Sequence, residues 1–194
     1  GSKQEILPYL ERLHDTLRIP VLYVSHSPDE VARLADQMVL LEHGQVCAGG
    51  PALELFARLD LPLARDDDAS SVIVGRVAGH DEAYGLTRVE IPGGSLSVAR
   101  LDRAVGAQAR VRIHARDVSI ALDEPGTSSI LNILPAEIVD MEEVGPSQVL
   151  VKLCTGHGSE TAMLARITRR SRDLLKLRTG KPVYAQVKAV ALMD

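Results

Sequence analysis

Few residues in this chain have types and spacing that could do chemistry. The clearest is His26, in Val21-Leu22-Tyr23-Val24-Ser25-His26-Ser27-Pro28-Asp29-Glu30. A short apolar run ends in Ser-His, and a helix start follows at once. Read as a strand covered on both faces, the run puts His26 at the end of a sheet strand, where open α/β sheets bind ligands. Neutral imidazole can donate or accept beside a phosphate. The alternative is a partly buried histidine bonded to local backbone.

Other chemistries find less support. Ser25-His26-Ser27 lacks the glycines of a nucleophile elbow. Thr179-Gly180-Lys181-Pro182 is not a phosphate loop. Cys47 and Cys154 lie far apart, match no metal spacing and read as reduced packing residues. No His or Cys pair has metal spacing near carboxylates, so no metal site is expected. His80 and His157 sit in Gly-rich turns and receive no role. His114, in Arg112-Ile113-His114-Ala115-Arg116-Asp117, reads as a surface strand residue, or as lining a site repeated in the two β-units described below.

Several elements must position these residues. Ile6, Leu10, Leu13 and Leu17 share a helical spacing over Lys3 to Arg18, which Ile19-Pro20 ends. Ser27 as N-cap, Pro28 at the first helical position and Glu30 in a capping box start a helix running to about Ala35. Met38–Leu41 and Gln45–Ala48 flank Glu42-His43-Gly44, a hairpin signal. Ala52 to Arg58 is a short helix.

From Asp60 to Ser71 come Pro62, Asp66-Asp67-Asp68 and two serines, which read as a linker. Beyond it short strands and Gly turns take over: 72–74, 87–91, 95–98 and 110–113. Their spacing suggests small barrels. Ser70-Ser71-Val72-Ile73 has an echo in Ser128-Ser129-Ile130-Leu131, and residues 105–122 in 178–192. Two similar five-strand units follow, at 72–122 and 128–194.

Composition sets the limits. Apolar residues make up 45%, with one Phe and no Trp, so the cores must be aliphatic. A net charge of −4 and the lack of aromatic stacking platforms argue against nucleic acid. Arg169, Arg170 and Arg172, with Lys176 and Arg178 nearby, read as a solvated rim. No apolar run approaches the ~20 residues of a membrane span, and no signal peptide is read. Gly1-Ser2 reads as an expression scar.

Taken together, Val21–Val31, Met38–Pro51 and Pro51–Leu59 resemble the switch-histidine segment, following hairpin and terminal helix of ABC-transporter ATPases. The resemblance covers roughly residues 3–59. It implies that His26 contacts the terminal phosphate of ATP and orients the attacking water in a full-length parent. The family's phosphate loop, signature motif and Asp-Glu pair are not found. No ATP hydrolysis is therefore expected of these 194 residues, and ATP and Mg²⁺ belong only to the parent.

The β-units resemble the regulatory Mop/TOBE oligobinding domains of molybdate importers and of molbindins. Ser128–Ile138, Ala162–Gly180 and Tyr184–Leu192 carry this likeness. It implies a molybdate or tungstate site built from Ser129, Asn132, Ile167, Thr168 and Lys188. Backbone donors, hydroxyls and one ammonium suit a tetrahedral oxyanion. Ala189 stands where molbindins carry a Ser, which removes one hydroxyl.

The expected fold class is mixed: an α/β remnant of an ABC ATPase domain, then an all-β tandem OB-like double barrel. The expected function is the regulatory part of a molybdate/tungstate importer ATPase. It would form a homodimer, sit cytoplasmically beneath the membrane and dock through its parent on a permease. The alternatives are a sugar, iron or polyamine importer module without oxyanion binding, and a stand-alone molbindin-like protein.

Overall fold

The computed structural model describes residues 6–7, 9–10, 20–156 and 161–192. Most of the helix expected over 3–18 lies outside them, as does His157; residues 6, 7, 9 and 10 are helical. The N-terminal part is α1 (Pro28–Leu34), β1 (Gln37–Glu42), β2 (Gln45–Pro51) and α2 (Ala52–Phe56). The β1–β2 turn places both His43 (φ 50°) and Gly44 (φ 78°) in the left-handed region, as a two-residue hairpin turn requires.

Two local expectations fail here. Val21–Val24 is not a strand: Leu22 is 93% and Val24 87% exposed. A strand needs ladder partners, and among the described residues β1 and β2 pair only with each other. From residue 20 on, the described part of the α/β remnant is thus a helix, a hairpin and a helix. The capping box at Ser27 does not form either. Ser27 gives no side-chain cap, and Glu30 turns back to accept from the Tyr23 hydroxyl (2.8 Å) and from that of Ser25.

The 60–71 stretch, expected as a linker, is packed. It contains α3 (Pro62–Arg65), and Leu59, Leu61, Ala64 and Ala69 are buried. Leu59, Ala64 and Ala69 cluster with Ala115, Leu150 and Leu164, which join it to both β-units. Arginines hold its acidic run. Arg112 Nη2 donates to the Asp68 carbonyl (3.1 Å), Arg116 pairs with the Asp68 carboxylate (3.0 Å), and Arg166 donates to the Ala64 carbonyl (3.2 Å) and to that of Asp66.

The rest is two five-stranded sheets. In chain order come β3 (Ser70–Asp81), β4 (Leu86–Ile91), β5 (Gly94–Ala99), β6 (Gln108–His114), β7 (Val118–Ala121), β8 (Asn132–Val144), β9 (Gln148–Thr155), β10 (Thr161–Thr168), α4 (Arg169–Leu174), β11 (Pro182–Val187) and β12 (Ala191–Leu192). The sheet orders are β12-β6-β3-β4-β5 and β10-β9-β8-β11-β7. Each unit therefore lends its last strand to the other's sheet. The division at 123–127 is crossed by a reciprocal exchange. The central strands β3 and β8 each carry a bulge, at Val77/Gly79 and Ile138/Asp140. Bulges bend a strand and let a sheet curl.

One aliphatic core serves both units, joining Val89, Leu96, Val111 and Ile113 to Leu134, Ile138, Leu153 and Met163. Side chains at the starts of the central strands tie the two sheets together. Asn132 Oδ1 accepts from Ser97 N–H (2.7 Å), and its Nδ2 donates to the Ser97 carbonyl (3.0 Å). In the matching place Ser71 Oγ accepts from Leu164 N–H (2.8 Å).

Candidate functional site

The β8–β11 ladder brings the oxyanion candidates partly together. Asn132, which opens β8, pairs with Val187, which ends β11, and Lys188 follows. The Lys188 backbone N–H donates to the Asp117 carbonyl (2.9 Å), while its side chain is exposed and makes no ion pair among the described residues. Ser129 lies exposed three residues before Asn132, in a stretch tightened by the Ile130 N–H to Ser128 Oγ bond (3.1 Å). A hydroxyl, a strand start and an uncommitted ammonium thus share one end of the second sheet. Asn132 itself is 6% exposed, and its amide is engaged by Ser97. It braces this end.

Ile167 and Thr168 end β10. Thr168 pairs with Gln148, which pairs in turn with Val144 at the other end of β8. Ile167 packs on the shared core, and Thr168 Oγ1 caps α4 by accepting from Ser171 N–H (3.0 Å). Among the described residues no hydrogen bond or ion pair joins these two to Ser129, Asn132 or Lys188. One chain therefore holds the five candidates in two groups.

His26 lies exposed at a bend just before α1, not at a strand tip. Its loop hangs on that helix through Glu30, and Ser27 N–H donates to Ser25 Oγ (3.1 Å).

His114 follows Ile113 as Lys188 follows Val187, so the two occupy matching places in the two units. It is not a surface residue as expected. It is partly buried, and its Nδ1 is enclosed without a hydrogen-bond partner. Burial first, then the Arg112 and Arg116 guanidiniums, push its pKa below the ordinary histidine value. The folded state then favours neutral imidazole. Stability from this group is fully present above the unfolded value of about 6.5 and is lost as pH falls through the lower folded value. Thermal melts of the native chain should drop between pH 7 and 5 by more than those of His114→Asn; equal drops would contradict this.

Arg112 escaped the sequence reading. Its side chain is 4% exposed, and Nε donates to Ser70 Oγ (2.7 Å). The alternation of Arg110, Arg112 and His114 with Val111 and Ile113 marks a strand with a polar face. Nothing in that pattern says that residues 29–36 and 66–70 cover the face.

A family model described as the TOBE domain matches residues 128–193. The chain carries a TOBE domain. Nearly all of it is homologous to proteins called "Molybdenum import ATP-binding protein ModC". It is 57% identical over 191 residues to the one from Aromatoleum aromaticum, covering 98% of this chain and 50% of that protein. It is 54% identical over 194 residues to the one from Pseudomonas aeruginosa, covering 98% and 53%. This TOBE-domain chain thus spans about half the length of those relatives. Among solved structures, the cytoplasmic molybdate-binding protein ModG in a molybdate-bound form has TM-score 0.56 and 23% identity, covering 63% of this chain and 94% of that one. That likeness is one of fold, and agrees with the expected tandem OB-like β-module.

Proposed function

We propose that the chain is the C-terminal regulatory part of the ATP-binding subunit of a molybdate or tungstate importer. The observation that carries this is the identity of 52% or more, along almost the whole chain, to several proteins named as molybdenum import ATP-binding proteins. In this reading ATP and Mg²⁺ bind in the portion of the subunit that this chain does not span. His26 then meets the terminal phosphate there, and the subunit sits beneath the membrane on a permease. The 194 residues do not hydrolyse ATP by themselves.

The β-module binds the oxyanion at the end of the second sheet. Lys188 supplies the charge, and Ser129 and nearby backbone N–H groups supply donors. Asn132 fixes the strand start. Ile167 and Thr168 contribute from a second copy, which is why the module pairs into a homodimer. An anion shared between copies favours whichever arrangement of the pair binds it more tightly, and so regulates transport by that differential affinity.

Isothermal calorimetry on the chain tests this. Molybdate and tungstate should bind, sulfate should bind at least ~tenfold more weakly, and ATP turnover should be absent. Heat from none of the three anions would favour the module of a sugar, iron or polyamine importer, a reading that Ala189 supports. ATP turnover by the pure chain would overturn the assignment of hydrolysis to the rest of the subunit.

A further inference from the structure

Strand β6 faces two ways. Val111 and Ile113 are fully buried in the shared core. Arg110 and Arg112 point to the opposite side, and both reach out of the sheet to α1. Arg110 Nη1 donates to the carbonyls of Arg33 (3.4 Å) and Ala35 (3.1 Å), and its Nη2 pairs with Asp36 (2.6 Å). A guanidinium on the last carbonyls is the favourable charge at a helix C-terminus. Arg112 holds the other end. Nη1 forms an ion pair with Asp29, in the first turn of α1. Its remaining nitrogens are fixed by Ser70 and by the Asp68 carbonyl, so the guanidinium has little freedom.

One strand thus grips both ends of a seven-residue helix. A helix this short does not hold itself together in water. Ala32 packs on Met38, Leu55 and Phe56, which fixes its apolar side. The arginines fix its placement on the β-module. The residues before it follow, because Tyr23 and Ser25 both bond to Glu30. His26 lies inside that loop, three residues from Asp29. The backbone of Arg112 also pairs with Ala191 of the exchanged strand β12, three residues beyond Lys188.

We propose that Arg112 is a positioning residue for His26: through Asp29 it sets where the His26 loop sits on the β-module. The inference takes the importance of His26 from the proposed function, but the contact itself does not depend on anion binding.

The test uses the 194-residue chain and Asp29→Asn. Asp29 is 74% exposed in its side chain, so the change removes the pair without touching the core. Amide hydrogen exchange over residues 27–36 should accelerate about fivefold, the size expected for one partly exposed ion pair. Exchange in β4 and β9 should stay as in the native chain. The His26 ring-proton resonance should shift, and Asp29→Glu should restore both signals. Unchanged exchange in 27–36 would overturn the proposal. So would equal acceleration in β4 and β9, or an unmoved His26 resonance. Failure of molybdate to bind in calorimetry would sink the anion reading and leave these outcomes as they stand.

Discussion

Gly93→Ala should destabilise the chain by about 3 kcal/mol or more, a large share of the 5–15 kcal/mol that holds a typical domain together. Gly93 lies in the β4–β5 turn at φ 90°, where a side chain is strained. A Cβ there would also stand 2.7 Å from Thr155 C and 2.8 Å from Gly156 Cα, and closer still to Gly156 N. All three are backbone atoms at the end of β9, so no side chain can swing aside. Thr155 Oγ1, donating to the Pro92 carbonyl (3.0 Å), holds the turns of the two units in this approach. Gly85→Ala is the control. It too has positive φ (62°), but its Cβ would meet open space, and it should cost only about 1 kcal/mol. Urea unfolding of both variants separates contact from conformation. Equal losses would mean that the contact between the turns contributes nothing.

Lys188→Ala should weaken molybdate binding at least ~30-fold, about 2 kcal/mol, the size of a hydrogen bond to a charged partner. Its urea midpoint should not move, because the side chain is exposed and unpaired among the described residues. Asn132→Ala should behave differently. It breaks two bonds to Ser97 at a buried position, so stability should fall by about 2 kcal/mol, with binding falling as the strand start loosens. Calorimetry and urea titration on the two variants distinguish a group that grips the anion from one that holds the gripping strand. Unchanged binding in Lys188→Ala would remove the ammonium from the site.

The sequence was most legible where local chemistry decides structure. His43-Gly44 between apolar runs dictates a hairpin, Pro28 marks the helix start, and the short strands read in the first β-unit stand where their pattern put them. It was silent where partners decide. Val21–Val24 reads as a covered strand only if neighbouring strands exist, and the composition of a run does not reveal them. Strands β7 and β12 are four and two residues long, too short for a periodic signal, so the exchange between units is invisible. In 60–71, proline and the acidic run masked three buried apolar residues, Leu61, Ala64 and Ala69, at uneven spacing. The candidate site shows the same divide. Resemblance named Ser129, Asn132 and Lys188, but only the pairing of Asn132 with Val187 sets Lys188 beside the start of β8. The burial of Arg112 depends on residues more than 40 positions away.

The most direct test of the oxyanion reading is where the anion sits. Crystals of the chain grown with tungstate should give a tungsten anomalous peak about 4 Å from Lys188 Nζ, with an oxyanion oxygen at hydrogen-bond distance between them, beside Ser129 and the start of β8. Tungsten found only on the exposed arginines around α4, or nowhere at saturating tungstate, would contradict the account.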